Sequence, residues 1–98
     1  MDYNFEWDPY KAIYNNKKHR VTFEESATVF RDPRALTIYD DEHSEYEERW
    51  LTIGISVNGR LLMVSHTFQK IVYNSVTIRI FSSRKATKSE VKDYEGSV

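Results

Sequence analysis

Residues 50–66 read WLTIGISVNGRLLMVSH, two apolar runs joined by Asn58-Gly59, and the folding of this stretch decides the rest of the chain. Leu51, Ile53, Ile55 and Val57 alternate with Trp50, Thr52, Gly54 and Ser56, which is the period of a strand with one strongly apolar face. Asn and Gly both tolerate the positive φ that a type I′ turn needs at its two central positions, so a two-residue hairpin is expected with Val57 facing Arg60. That register sets Ile55 against Leu62, Ile53 against Val64 and Leu51 against His66, and places His66 at the end of a core row.

Outward from the hairpin the period tells the element type. Towards the N-terminus, Leu36 and Ile38 mark a short strand, separated from the hairpin by the acidic loop Asp40-Asp41-Glu42. Towards the C-terminus, Val76, Ile78 and Ile80 alternate with Thr77, Arg79 and Phe81 in a strand over 76–82, and if its aliphatic row packs on helices, Arg79 points away from them. The segment Phe68 to Ser75 is ambiguous between strand extension and covering loop, and is read as a long hairpin. Before residue 33 the period is helical. Asp8 caps and Pro9 opens a helix reaching His19, with Tyr10, Ile13, Tyr14 and Lys17 at helical spacing. Thr22 and Glu25 have capping-box spacing ahead of the stripe Phe23, Ala27, Phe30, and Asp32-Pro33 ends that second helix. Thr87 and Glu90 repeat the capping spacing for a last helix over 86–94 whose thin footing, Val91 and Tyr94, predicts weak docking. The expectation is an α+β fold: two N-terminal helices on an antiparallel sheet of three or four strands, then a short C-terminal helix, in a single domain over 1–98.

Composition narrows the function classes. The chain has 98 residues, 40% hydrophobic and 14% aromatic, which supports a packed core and excludes a disordered reading. It has no cysteine, so neither a disulfide framework nor a thiolate metal site is available. Met1 to Pro9 carries three carboxylates and no apolar run, unlike a secretory signal, and no stretch approaches the ~18 apolar residues of a membrane span, so a cytoplasmic protein is expected. The formal net charge of −1 hides an asymmetry: seven basic against twelve acidic side chains up to Arg49, but seven against three from Trp50 onward. A polyanion is expected to prefer the second half, through a local patch rather than a basic coat, since the pI is near 6.3.

Four blocks, FEWDPYKAIYNNKKH (5–19), VTFEESATVFRDP (21–33), HSEYEERWLTIGIS (43–56) and TIRIFSSRKATKSEVKDYE (77–95), together resemble the BrnT-like toxins, in the right order and over nearly the whole chain. The resemblance implies a RelE-like fold, ribonuclease activity that arrests translation, and neutralisation by a BrnA-like antitoxin carrying a ribbon-helix-helix DNA-binding part. The chain departs from the family pattern at Arg20, where members carry Gly, and in the length of the segment 68–75. A non-Gly residue forced into the left-handed region at that helix end costs ~1 kcal/mol.

Metal-free RNA cleavage requires a group that takes the ribose 2′-OH proton, cations for the charged phosphorane and an acid for the leaving 5′ oxygen. On the resemblance, the candidate catalytic residues are Arg79, Arg84, Lys85, His66 and Tyr94, with Lys88 and Lys92 drawing in RNA. Each has a plainer role open to it: a solvated strand arginine for Arg79, a strand-end charge pair for Arg84 and Lys85, a buried core imidazole for His66, a helix anchor for Tyr94. His43, Glu45, Glu47 and Glu48 lack the spacing of a zinc site, so no metal and no cofactor is expected. The competing reading is a non-catalytic co-repressor that acts only on its antitoxin, with Trp50, Tyr39 and Phe68 marking a protein interface.

Overall fold

The structure, a computed structural model, describes residues 2–96. Strand β1 (Asp2–Glu6) leads into helix α1 (Pro9–His19) and helix α2 (Phe23–Thr28), the latter continued by a 3-10 turn, Val29–Arg31. Strands β2 (Leu36–Tyr39), β3 (Trp50–Ile55), β4 (Leu61–Val72) and β5 (Ser75–Lys85) follow, and helix α3 (Lys88–Gly96) ends the order. The five strands form one sheet in the order β1-β5-β4-β3-β2. It is α+β as expected, with one strand more than expected and a mixed sheet, because β1 pairs parallel with β5. Tyr3, Phe5 and Trp7 alternate at strand period and carry that signal; Phe5 lies 5.5 Å from Phe30 and Trp7 5.8 Å from Phe23, ring to ring.

The helix ends follow the capping chemistry. Asp8 accepts from Tyr10 N–H at 2.8 Å and Pro9 opens α1. Thr22 Oγ1 accepts from Glu25 N–H at 3.1 Å, but the Glu25 carboxylate does not return to Thr22. It takes the Nε of Arg60 at 2.9 Å and the Ser56 hydroxyl at 2.7 Å instead, which ties α2 to the β3–β4 loop and holds Glu25 down at a pKa of about 2, chiefly through Arg60. Arg20 adopts φ 57°, ψ 37° and so occupies the left-handed cap position that favours glycine. Its N–H reaches Asn16 O at 2.9 Å, and its carbonyl accepts from Arg60 at 3.0 Å.

The hairpin register differs from the expected one by a single residue, and the consequence is large. Ser56 and Arg60 close a three-residue loop: Ser56 N–H donates to Arg60 O at 2.8 Å and Gly59 N–H to Ser56 O at 2.9 Å, while only Gly59 (φ 78°) is left-handed. This is a turn followed by a left-handed glycine rather than a type I′ turn. Ile55 therefore pairs with Leu61, Ile53 with Met63, Leu51 with Ser65, and Trp50 with His66. One step of register exchanges faces. Thr52 and Gly54, not the aliphatic row, look towards α1 and α2. A side chain at Gly54 would stand 2.8 Å from Val29 Cγ1, so the glycine lets the 3-10 turn lie on β3. Thr28 Oγ1 accepting from Val57 N–H at 2.9 Å and Asp32 Oδ2 accepting from Ile55 N–H at 2.8 Å fix the same register.

The sheet consequently carries a core on each face. Under α1 and α2, Leu62, Val64, Ile78 and Ile80 pack with Val21, Phe23 and Val29, all at 0% exposure. Full burial of each large side chain contributes roughly 2 kcal/mol. On the opposite face, Ile53 and Met63 pack under Tyr94 of α3. The segment 68–75 resolves as strand: β4 and β5 remain paired to Val72–Ser75, and the turn uses Tyr73 at φ 55°.

Candidate active site: a cavity on the open sheet face

Helix α3 covers only the Ile53–Met63 end of its face. Beyond it Leu51, Ser65 and Ser82 line a cavity of about 490 Å³, to which α1 contributes Lys11, the turn after β2 Asp40, Glu42 and His43, the entry of β3 Arg49, and β5 Phe81 and Arg84.

Short-range bonds set the His43 and Arg49 side. Asp40 N–H donates to Arg49 O at 2.9 Å, and Ser44 bridges the same two residues, its hydroxyl donating to Asp40 O at 2.6 Å and accepting from Arg49 N–H at 3.0 Å. The loop between β2 and β3 is thereby closed, and both its ends meet the cavity. His43 Nδ1 lies 2.9 Å from Asp40 Oδ2. A carboxylate accepts, so Nδ1 carries a proton and the neutral form of the ring has its lone pair on Nε2, on an imidazole that is 61% exposed while Asp40 is buried.

The Lys11 side depends on long-range docking. Asn15, 3% exposed, spans the gap between α1 and the upper half of β5, where β1 has ended: its amide donates to Ser83 O at 2.9 Å and accepts from Ser83 N–H at 3.0 Å, and it also donates to Val21 O at 3.0 Å. One turn earlier on α1, Lys11 is carried to the cavity. The β4–β5 register jumps between the pairs Ser65–Ser82 and His66–Ile80, leaving Phe81 as the extra residue of a bulge. The Phe81 ring has Arg49 Cζ at 4.2 Å and Lys11 Nζ at 5.2 Å from its centroid, so one aromatic surface holds two cations together.

Of the residues anticipated from sequence, Arg84 lines this cavity, and its fork is engaged by Glu90 at 2.7 and 3.0 Å. Glu90 also accepts from Thr87 N–H at 2.8 Å while Thr87 Oγ1 accepts from Glu90 N–H at 3.2 Å, a complete reciprocal capping box. The Arg84 hydrogen bonds hold Glu90 at a pKa of about 2. Arg79, opposite Thr67, lies on the same sheet face further along β5 and contacts Glu6 at 3.3 Å. Lys85, Lys88 and Lys92 are exposed and outside the cavity.

His66 and Tyr94 stand elsewhere. His66 is 0% exposed on the helix-facing side, edge-on to Phe30 and Phe68 at 4.8 and 4.9 Å, with Nε2 2.6 Å from Thr52 Oγ1. Burial pulls its pKa down to about 4, so the ring is neutral. It is a core imidazole with no route to the open face. Tyr94 is buried, and its hydroxyl donates to Asp32 Oδ2 at 2.6 Å. Burial raises the pKa of Asp32, and the hydrogen bonds from Ile55, Tyr94 and Arg34 outweigh it, so the carboxylate stays charged below its usual range. Tyr94 is thus the anchor of α3, which the apolar stripe alone underestimates. Tyr94→Phe is expected to lower the unfolding free energy by about 2 kcal/mol, the worth of a hydrogen bond to a charged group, in a urea titration, with the folded protein retaining its activity. Equal stability of the variant would show that the bond contributes nothing net.

Sequence reasoning overlooked Lys11, Arg49 and Phe81 and set His43 aside with the acidic loop. Tyr39, Trp50 and Phe68 form a continuous edge-to-face row across β2, β3 and β4, with Tyr39 and Phe68 partly exposed. Among the described residues no group of three or more His, Cys, Asp or Glu is placed to hold a metal ion, and no helix is long and apolar enough to cross a membrane.

The chain is thus a small α+β protein with two arginines, a lysine and a carboxylate-held imidazole around one open cavity. The chain belongs to the BrnT family: residues 7–90 match the family described as ribonuclease toxin, BrnT, of type II toxin–antitoxin systems. An antitoxin partner is implied by that membership. The fold is that of the crystal structure of the Brucella abortus ribonuclease toxin BrnT, with a TM-score of 0.58 and 18% identity over 90% of this chain and 100% of that one. No curated protein sequence matches the chain.

Proposed function

We propose that the chain is an endoribonuclease that cleaves RNA through the ribose 2′-OH without a metal ion, inhibits translation in the cytoplasm, and is neutralised by a BrnA-like antitoxin with a ribbon-helix-helix DNA-binding part. The observation that carries this reading is the convergence of His43, Arg49 and Lys11 on one cavity. His43 Nε2 takes the 2′-OH proton, with Asp40 holding the ring and stabilising the imidazolium that forms. The 2′ oxygen bonds to phosphorus, the bond from phosphorus to the 5′ oxygen breaks, and Lys11 returns a proton to that oxygen. The products are a 2′,3′-cyclic phosphate and a 5′-hydroxyl. Arg49 and Lys11, already paired on Phe81, offset the charge of the phosphorane without having to reorganise.

The residues expected from sequence take graded parts. Arg84 forms the rim of the cavity and fastens α3, and Arg79 meets a neighbouring phosphate on the same face. Lys85, Lys88 and Lys92 add to the field that draws RNA in. His66 and Tyr94 serve the fold.

Expression of the chain from a tight promoter tests the reading. Growth arrest with loss of total RNA is expected, relieved by Arg49→Ala at equal protein level, since loss of one charge-stabilising donor lowers turnover by about 10²–10³-fold. Folded protein that causes neither effect would assign the chain to the non-catalytic role, acting only in complex with its DNA-binding antitoxin.

A further inference from the structure

The active-site cavity continues past Phe81. A second cavity of about 460 Å³ adjoins it on the α1 side, and the two share Lys11, Phe81, Ser82 and Arg84. Its outer wall is the C-terminal half of α1, which supplies Tyr14, Lys18 and His19. Tyr14 is 64% exposed, with Lys18 Nζ 5.8 Å from its ring centroid. The wall is rigid with respect to β5, because Asn15, next to Tyr14, holds both backbone groups of Ser83. The two cavities differ in charge: Asp40 and Glu42 line the first, and among the described residues no carboxylate lines the second.

We propose that the second cavity is a subsite for the adjacent nucleotide of a single-stranded RNA whose scissile phosphate lies in the first, with Tyr14 stacking on the base and Lys18 gripping the phosphate. The proposal rests on the ribonuclease reading of the first cavity. Single-strand binders combine an aromatic platform with cations that follow the backbone, and Tyr14, flanked by Lys18 on its own helix, presents both in one groove. The absence of lining carboxylates favours a polyanion along the whole length of this second cavity. A stacked base is read by its π face, so this subsite adds affinity and tolerates any base, and selection by base identity has to arise in the first cavity.

The test uses 2′-fluoro RNA, which lacks the nucleophile and is not cleaved by this route, so binding is measured apart from catalysis. Fluorescence anisotropy of the whole chain with a dinucleotide and with a pentanucleotide gives a ratio of dissociation constants. Unaltered protein is expected to prefer the pentanucleotide by roughly tenfold or more, and Tyr14→Ala/Lys18→Ala to reduce that ratio towards one. Both replaced side chains are exposed, and the circular dichroism of the variant is expected to match. A ratio unchanged in the variant overturns the subsite, and an unchanged ratio together with weaker retention of a co-expressed antitoxin assigns the α1 face to protein. If length-dependent binding is lost in the variant but unmodified RNA is never cleaved by the unaltered chain, the subsite stands and the catalytic reading falls.

Discussion

Purified His43→Ala is expected to cleave RNA about 10²–10⁴-fold more slowly than the unaltered chain, the range associated with loss of a positioned general base. The imidazole is 61% exposed and makes one side-chain bond, to Asp40, so the variant should unfold within about 0.5 kcal/mol of the unaltered protein. Added imidazole is expected to restore part of the rate, because the space left beside Asp40 accepts a free base of the same shape. A merely structural role would not respond to imidazole. Full activity in His43→Ala would remove the base from His43 and leave the cations around Phe81 as the only chemistry of the cavity.

The second large effect belongs to the other histidine and is one of stability. His66 is neutral in the folded chain because burial lowers its pKa to about 4, against an ordinary value of 6.5. Below pH 6.5 the unfolded chain binds a proton that the folded chain refuses, so stability falls as the pH drops from 6.5 towards 4. The loss amounts to about 3 kcal/mol over that window. Glu25 and Glu90 have the opposite chemistry and the same sign: their folded pKa values near 2 mean that the stability they add is intact above pH 4.5 and is lost between 4.5 and 2. Urea titrations at pH 7, 5.5 and 4 separate the two. His66→Gln, which cannot titrate, is expected to lose the slope between 6.5 and 4 whatever its absolute stability. The same slope in the variant would show that another group takes up the proton.

Legibility in the sequence followed the range of the interactions. Asp8, Thr22 and Thr87 cap helices through bonds spanning two or three residues, and the sequence predicts those helix starts closely. The Asn58-Gly59 pair predicts a turn correctly but not its length, because the loop is set by Glu25 on Ser56 and Thr28 on Val57, some thirty residues away. That one residue decides which face of β3 meets the helices. β1 is absent from the reading of the sequence: Tyr3, Phe5 and Trp7 alternate at strand period, but the run is short and its partner, β5, lies some seventy residues on and parallel. The α+β class and the helix order survive these errors because they depend on period alone.

The candidate site was less legible for the same reason. Arg84 is reached from the basic second half of the chain, whereas Lys11, His43 and Arg49 all come from the acidic first half. Their assembly depends on Asn15 docking α1 on Ser83 and on Asp40 and Ser44 closing the loop to Arg49. A buried polar Asn interrupts a helical stripe instead of announcing a contact. His66, prominent in the alternating row, is drawn into the core by the register shift, and the exposed His43 is the histidine that lines the cavity with Lys11 and Arg49.

The most direct measurement incubates purified chain with a defined RNA in excess EDTA and maps the ends of the products. Cleavage that persists, with 2′,3′-cyclic phosphate and 5′-hydroxyl ends, is the predicted result. Cleavage abolished by EDTA, or fragments ending in 5′-phosphate and 3′-hydroxyl, would contradict the account.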